Sequence, residues 1–380
     1  MKLSFLDPLY AAPDPVASVY LDTSRDIGDP DKAVELRWRH LRDDLTAQGA
    51  DRATVAALSE MVRTDQEVPG RHGKALFAAH GRLLLAEELP EPPVRDSARL
   101  GEIPDALPLA VQHAPDIPYV AVAVRRERRP EPGGKAGGQG DVLDVVATFQ
   151  AGRWPMSRVA PRPLVDREWR AEDGERGAAA VAAKLEDMVH RSGAEVIVLH
   201  VEENDPWARG VLLNRLSGTL RERTVTVEAG EGRVVADPRR ALLEDEVGKV
   251  LGGRLSARDR THTDTYRAQR ARYPDASEGL AATVAALRRG QAQALLVNRP
   301  AHLTDPLWVG PGNTQISLSA EELRLFGGTS VRQERAGAAL LRAAAGTGAE
   351  LTVVPRDDMP MDDGVGVLLR YAPGSPAPGQ

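Results

Sequence analysis

Short apolar runs of β-forming residues alternate with longer segments of helical periodicity along most of this chain. Runs typical of buried strands cover residues 16–21, 119–124, 292–298 and 365–371, and a short strand is predicted near 154–159. The segments 74–79 and 81–85 predict a hairpin with a tight turn at His80-Gly81. Between them, apolar residues recur every three to four positions, the spacing of a helix with one buried face. This alternation predicts an α/β fold built from mixed sheets flanked by helices.

The chain has 380 residues and no cysteine. Its length predicts two to three domains at roughly 150 residues each. The lack of cysteine excludes disulfides, thiol nucleophiles, iron–sulfur clusters and cysteine-based zinc sites. A reducing compartment fits this composition.

Neither end of the chain nor its interior carries a membrane signal. The first residues, Met1-Lys2-Leu3-Ser4-Phe5-Leu6, lack the apolar core and cleavage site of a secretory leader. No run of about 18 apolar residues without a charge occurs, so no membrane span is predicted. We expect a cytoplasmic protein with no membrane partner.

Proline and glycine punctuation divides the chain into three predicted α/β domains. Pro115 and Pro118 precede a new strand pattern, and Gly230, Gly232 and Pro238 precede a new helix. The predicted domains are therefore residues 1–114, 115–232 and 233–372, followed by a disordered Pro/Gly/Ser-rich tail at 373–380.

Charge is distributed unevenly over these domains. Residues 1–114, 115–232 and 233–380 carry net charges of −6, −2 and +2, which argues against a nucleic-acid coat over the whole surface. Three local windows are basic, with five positive and two negative side chains at 121–135, five and two at 153–170, and six and two at 254–272. Each window could contact phosphates, and each also fits a solvated loop.

Common catalytic signatures are missing. The segment Gly70-Arg71-His72-Gly73-Lys74-Ala75 has the wrong spacing for a P-loop and lacks its hydroxyl. There is no H-E-x-x-H pair and no G-x-S-x-G elbow. The acidic residues at 357–363 miss the EF-hand pattern and fit a solvated turn. The sequence therefore predicts neither a metal nor a cofactor.

The tripeptide Gly137-Gly138-Gln139 has two interpretations. In class-one release factors a Gly-Gly-Gln motif brings a glutamine to the ester of peptidyl-tRNA, where glycines permit close approach and the amide orients water. A glycine-rich connection between two strands has the same composition.

The chain resembles, over nearly its full length, the bacterial families related to the archaeo-eukaryotic class-one release factors and Pelota, especially the actinobacterial peptidyl-tRNA-hydrolase-like branch. The matching passages are Val19-Tyr20-Leu21-Asp22-Thr23-Ser24-Arg25, Leu36-Arg37-Trp38-Arg39-His40-Leu41, Gly73-Lys74-Ala75-Leu76-Phe77-Ala78, Ala343-Ala344-Ala345-Gly346-Thr347-Gly348-Ala349-Glu350 and Asp363-Gly364-Val365-Gly366-Val367-Leu368-Leu369-Arg370-Tyr371.

This resemblance implies three domains in release-factor-like order, entry into the ribosomal A site, and a middle domain that reaches toward the peptidyl-transferase centre. In release factors the Gly-Gly-Gln loop precedes the long helix of the middle domain. The corresponding place here, residues 157–170, has neither glycine nor glutamine, so the hydrolytic role is not transferred to Gln139. Catalytic residues are therefore not assigned.

Arginines in this loop and in the preceding basic window are the candidate RNA contacts. They are Arg158, Arg162, Arg167 and Arg170, with Arg125, Arg126, Arg128 and Arg129.

Our leading hypothesis is a ribosome-associated factor that occupies the A site in dormancy or rescue without hydrolytic activity. Its implied partners are ribosomal RNA, tRNA and a translational GTPase. The alternatives are a peptidyl-tRNA hydrolase that uses Gln139 and a regulatory α/β protein with no RNA partner.

Overall fold

The structure is a computed structural model with two compact units, Met1–Pro115 together with Ala257–Gln380, and Asp116–Ser256. It describes residues 1–12, 14–129, 142–159, 164–172, 175–201, 208–228, 242–301, 303, 305–325 and 330–371. The first unit is therefore built from two separate segments of the chain, and the second unit from the residues between them.

The first segment of the larger unit is an antiparallel sheet with helices. Its elements are helix α1 (Asp7–Tyr10), strand β1 (Val16–Asp22), helices α2 (Pro30–Ala47) and α3 (Arg52–Met61), strands β2 (Gly73–Ala79), β3 (Arg82–Leu89) and β4 (Ser97–Gly101), and helix α4 (Leu107–His113). The strand order is β3-β2-β1-β4. Alternate residues of β1 face opposite cores: Val19 packs in the cluster that contains Trp38 of α2, and Tyr20 packs in the second cluster of the unit.

A tight hairpin joins β2 to β3, as the His80-Gly81 pair predicts. Both residues have positive φ, 49° at His80 and 75° at Gly81. Such angles are costly for most side chains and easy for glycine. A Cβ at Gly81 would also come within 2.9 Å of the Ala53 side chain. The predicted turn is thereby confirmed.

The middle unit is one mixed sheet with helices on both faces. Its elements are strands β5 (Ile117–Arg129), β6 (Val142–Trp154) and β7 (Leu164–Glu172), helix α5 (Glu175–Ser192), strand β8 (Val196–Val201), helices α6 (Leu213–Arg215) and α7 (Gly218–Arg223), strand β9 (Thr224–Glu228) and helix α8 (Glu244–Leu251). The order is β7-β6-β5-β8-β9, with β5 antiparallel to β6 and parallel to β8. Helix α5 packs on one face and α8 on the other.

The second segment of the larger unit carries two small sheets. Its elements are helices α9 (Ala257–Arg272), α10 (Pro274–Ser277) and α11 (Gly279–Arg288), strands β10 (Ala292–Arg299), β11 (Pro306–Val309) and β12 (Ile316–Ser317), helix α12 (Ala320–Leu325), strand β13 (Arg332–Arg335), helix α13 (Ala336–Gly346), and strands β14 (Glu350–Pro355) and β15 (Val365–Leu369). The strand orders are β14-β10-β15 and β12-β11-β13.

The two segments of the larger unit share one hydrophobic core. Phe77 and Leu109 of the first segment and Leu295, Leu340 and Leu351 of the second belong to the same cluster of buried side chains. A Cβ on Gly337 would lie 2.6 Å from the Leu107 side chain, so α13 and α4 are in close contact. Ion pairs between Arg99 and Glu334 and between Arg335 and Asp105 join the same segments.

The predicted α/β fold with mixed sheets and flanking helices is confirmed, but one predicted strand is wrong. Residues 154–159 were expected to be extended, whereas Met156–Arg158 is a 3₁₀ turn closed by a hydrogen bond from the Arg158 N–H to the Pro155 carbonyl. Pro155 has no N–H to offer a sheet, so the strand β6 ends at Trp154. The next strand, β7, lies in the segment that was expected to be a loop.

The three-domain division stays a prediction, and the expected tail at 373–380 lies outside the described residues. Over the part of the chain that the structure describes, no helix is both long enough and apolar enough to span a bilayer.

Candidate nucleic-acid interface

The longest strand pair of the middle unit positions the candidate arginines. Strands β5 and β6 pair along 13 residues each, from Ile117 opposite Trp154 to Arg129 opposite Val142. Strand β7 then pairs with the other edge of β6. Because directly paired residues point to the same face of a sheet, the register decides which side chains lie side by side.

The register brings Arg125 and Arg170 into one row. Arg125 of β5 and Arg170 of β7 both pair with Val146 of β6, one on each side. Val146 is only 1% exposed, whereas Arg125 is half-buried and Arg170 is exposed. Arginine covers apolar surface with its alkyl stem and keeps its guanidinium near solvent. This basic row, Arg125–Val146–Arg170, can present two guanidinium groups on one face.

The row next to it on that face contains two polar and two apolar side chains. Thr148, Ala123, His200 and Val227 pair in register across β6, β5, β8 and β9. His200 is 4% exposed. In the sequence, His200 is visible only as a single histidine inside the apolar strand Val196–Val201. The sequence alone does not show that this histidine lies beside the basic row.

The opposite end of the same face is apolar and covered. Tyr119 and Ala121 of β5 pack in one cluster with Val247 and Leu251 of α8. Along β5, this face therefore passes from an apolar part under α8, which extends to Ala123, to the basic row at Arg125.

A buried hydrogen-bond network fixes the covered half. The Gln150 amide donates to the Tyr119 hydroxyl at 2.6 Å, and that hydroxyl donates to Ser157 Oγ at 2.9 Å. The Gln150 carbonyl oxygen accepts from the backbone N–H of Leu242, just before α8. Burial raises the pKa of Tyr119 to about 12, although the hydrogen bonds with Ser157 and Gln150 act in the opposite direction. This tyrosine therefore stays neutral and positions α8.

Arg158 lies apart from the basic row. It is on the turn after β6, where its Nε donates to Glu244 Oε1 at 3.3 Å and its guanidinium lies 5.8 Å from the centre of the Trp154 ring. Trp154 is eight positions from Val146 along β6, a distance of about 26 Å at about 3.3 Å per residue. Arg158 therefore stabilises the junction between the turn and α8, and it cannot share a phosphate with Arg125.

The remaining candidates are only partly described. The backbones of Arg126, Arg128 and Arg129 pair with Val145, Leu143 and Val142, and Arg167 is in β7. Arg162 and the tripeptide Gly137-Gly138-Gln139 lie outside the described residues. The site thus rests on the backbone register and on the described side chains of Arg125 and Arg170.

Among the residues that the structure describes, no group of three or more histidines, aspartates or glutamates could hold a metal ion.

Comparison with known proteins places this unit in a family. The family model for bacterial archaeo-eukaryotic release factor family 2 matches residues 118–272, from β5 to the end of α9. The uncharacterized proteins MT2704 and Rv2629 of Mycobacterium tuberculosis, from strains CDC 1551 and H37Rv, are each 30% identical to this chain. Each alignment spans 98% of this chain and 97% of the relative.

Solved structures with similarity to the chain include two archaeal proteins. The translation termination factor aRF1 is 13% identical, with a TM-score of 0.21 and coverage of 97% of this chain and 96% of its own. Pelota from Archaeoglobus fulgidus is 14% identical, with a TM-score of 0.39 and coverage of 96% and 98%. Given the family model on the middle unit and a relative that aligns along almost the whole chain, this protein belongs to the bacterial archaeo-eukaryotic release factor family 2.

Proposed function

We propose that this protein is a ribosome-associated translation factor of the release-factor type, which binds in the A site during dormancy or rescue and does not hydrolyse peptidyl-tRNA. The observation that carries the proposal is the basic row, Arg125–Val146–Arg170, inside the segment that matches the family model. A cytoplasmic location and delivery by a translational GTPase belong to the same proposal.

Phosphate binding is the chemistry that the basic row supports. Arginine offers a planar fork of donors that matches two phosphate oxygens, and its charge persists at every physiological pH. A row anchored on three paired strands holds both guanidinium groups on one rigid face. The other six candidate arginines remain proposed RNA contacts, Arg158 at a separate place on the turn after β6.

Ribosome co-sedimentation tests the proposal. The double variant Arg125→Gln/Arg170→Gln should weaken association with stationary-phase ribosomes by about tenfold and lower the salt dependence by about one to two in log–log slope, because two phosphate contacts are lost. A matched control is Arg191→Gln/Arg215→Gln, two exposed arginines of the same unit that form ion pairs with Asp187 and Glu175. Equal sedimentation of the double variant and the control would contradict the assignment.

The second candidate function is peptidyl-tRNA hydrolysis through Gln139. What favours it is the tripeptide itself: Gly137-Gly138-Gln139 has the letters of the release-factor motif and stands in the chain between β5, which ends at Arg129, and β6, which begins at Val142. Release of the nascent peptide from purified ribosomal complexes separates the two functions. Under our proposal, wild type and Gln139→Ala both leave the ester intact. A wild type that releases peptide, with a loss of about a hundredfold in Gln139→Ala, would establish the hydrolase instead.

A further inference from the structure

Helix α9 is unusually polar and yet firmly held. Its buried face contains Asp259, His262 and Tyr266, and Tyr266 is fully buried. The Thr352 hydroxyl of β14 donates to Asp259 Oδ1 at 2.9 Å, and His262 Nδ1 lies 2.9 Å from that threonine Oγ1.

Gln269 completes the attachment of the helix. It donates to the Val367 carbonyl at 2.9 Å and accepts from the Leu369 N–H at 2.8 Å, so it binds α9 to β15. These contacts fix the helix along its length, and the opposite face is left exposed to solvent.

The exposed face of α9 has small residues in its middle and arginines on both sides. At about 100° per residue, Ala257, Thr261 and Ala268 fall within one narrow strip opposite the buried face. Arg258 and Arg272 lie on one flank of the strip, and Arg260 and Arg267 lie on the other. All seven of these residues are exposed.

Charge on this face is strongly biased toward the positive. Of the two carboxylates of the helix, Asp259 is buried and Asp264 is exposed. Arg267 contacts Asp264 at 3.1 Å, and Arg258 contacts Glu350 of β14 at 3.1 Å. The Arg267–Asp264 pair is weak, because its two side chains are 52% and 75% exposed, so phosphates can compete for that guanidinium group. Glu350 is only 22% exposed, so Arg258 is held more firmly.

We propose that the arginine-flanked face of α9 docks in the wide, shallow groove of double-stranded RNA. The small central residues let the helix backbone approach the groove floor, and the two flanks direct guanidinium groups toward the phosphates of both strands. The choice of RNA as the nucleic acid rests on the proposed ribosome association. The placement of small residues and arginines on this face is observed independently of that proposal. This surface belongs to the larger unit and is separate from the basic row, Arg125–Val146–Arg170, of the middle unit.

The exposed carboxylate of Asp264 on this face provides a second test. Its carboxylate is 75% exposed and lies at the edge of the small-residue strip, where it would repel RNA phosphates. The isosteric variant Asp264→Asn should therefore bind RNA about twofold more tightly. A helix face with no RNA function would not respond in this direction.

The test is direct binding of the full chain to a synthetic RNA duplex of about 16 base pairs, measured over a range of salt concentrations. The triple variant Arg260→Gln/Arg267→Gln/Arg272→Gln should bind at least about tenfold more weakly, with a salt slope lower by about two to three. Glutamine keeps the helix propensity, and circular dichroism verifies the fold. The matched control is Arg39→Gln/Arg42→Gln/Arg63→Gln, three exposed arginines in the first segment of the same unit, which should bind like wild type.

Each contrary outcome is informative. Equal binding by the triple variant and the control, equal binding to a DNA duplex of the same sequence, or equal competition by polyglutamate would overturn the inference. Ribosome association that persists without any duplex binding would overturn it and leave the proposed function intact. Duplex binding through α9 without ribosome association would support it and contradict the proposed function.

Discussion

A buried charge network beneath the first sheet leads to our most detailed prediction. Lys74 of β2 is 1% exposed, and its Nζ lies 3.2 Å from Asp65 Oδ1 and 2.8 Å from Thr64 Oγ1. His72 Nε2 lies 3.3 Å from the other oxygen of Asp65. His72 and Asp65 are 0% and 4% exposed. One carboxylate therefore supports two buried nitrogen groups.

The perturbation is Asp65→Asn, which keeps the shape and removes the charge. The buried ammonium would then keep only a more distant and partly solvated carboxylate, that of Glu88, which is 3.9 Å from Lys74 Nζ and 28% exposed. Removing one partner of a buried pair costs about 3–5 kcal/mol. With a urea m-value of about 2–3 kcal/mol/M, a loss of about 4 kcal/mol lowers the midpoint of unfolding by about 1.3–2 M.

The network also predicts the dependence of this loss on pH. Burial by itself raises the pKa of Asp65, but hydrogen bonds from His72 and Thr23 and the charge of Lys74 together hold it below its ordinary value. A carboxyl group whose pKa is lowered by folding stabilises the fold at pH values above its pKa in the unfolded chain, about 3.9. This stabilisation is lost as the pH falls through the pKa of the folded state. The difference in free energy of unfolding between wild type and Asp65→Asn should therefore be largest near neutral pH and should decrease below about pH 4.

Urea unfolding at several pH values, with hydrogen exchange of the β1 and β2 amides, measures both quantities. The control is Asp43→Asn, whose carboxylate is 65% exposed in its pair with Arg42 and should change stability by less than about 0.5 kcal/mol. A loss below about 1 kcal/mol in Asp65→Asn, or a loss that is unchanged at acid pH, would refute the reasoning.

Two further predictions concern the larger unit. Because the two segments of this unit share one core, the fragment 257–371 alone should lack cooperative unfolding and bind a hydrophobic dye. Coexpression with the fragment 1–115 should restore a protease-resistant complex. Independent folding of 257–371 would contradict this prediction. Burial lowers the pKa of His262 despite the nearby carboxylates of Glu350 and Asp259. The free energy of unfolding of the wild type should therefore fall as pH drops below about 6.5, where the unfolded histidine takes up a proton more readily than the folded one. Urea titrations over the same pH interval should show a smaller fall in His262→Gln.

Local patterns were sufficient for much of the fold. The strand at 292–298 and the hairpin around His80-Gly81 are visible because a continuous apolar run and a left-handed turn are each encoded by adjacent residues. Helix α9 was not recognised, because its buried face holds Asp259, His262 and Thr263 and so lacks the apolar period of an amphipathic helix. Only its excess of arginine was visible.

The candidate interface shows the same division. The sequence identified Arg125 and Arg170 as basic residues of the middle segment, but 45 positions separate them along the chain. Their alignment on either side of Val146 depends on the pairing of three strands, which is a non-local property.

Composition and short-range periodicity encode the α/β class, the absence of thiol chemistry and the regions of positive charge, so these could be predicted from the sequence. Three features are visible only in the folded chain: which arginines lie side by side, the pairing of Asp65 with two buried nitrogen groups, and the core that the first and last segments share. Those features arise from strand register and long-range packing, where each residue's environment is set by partners far away in the sequence.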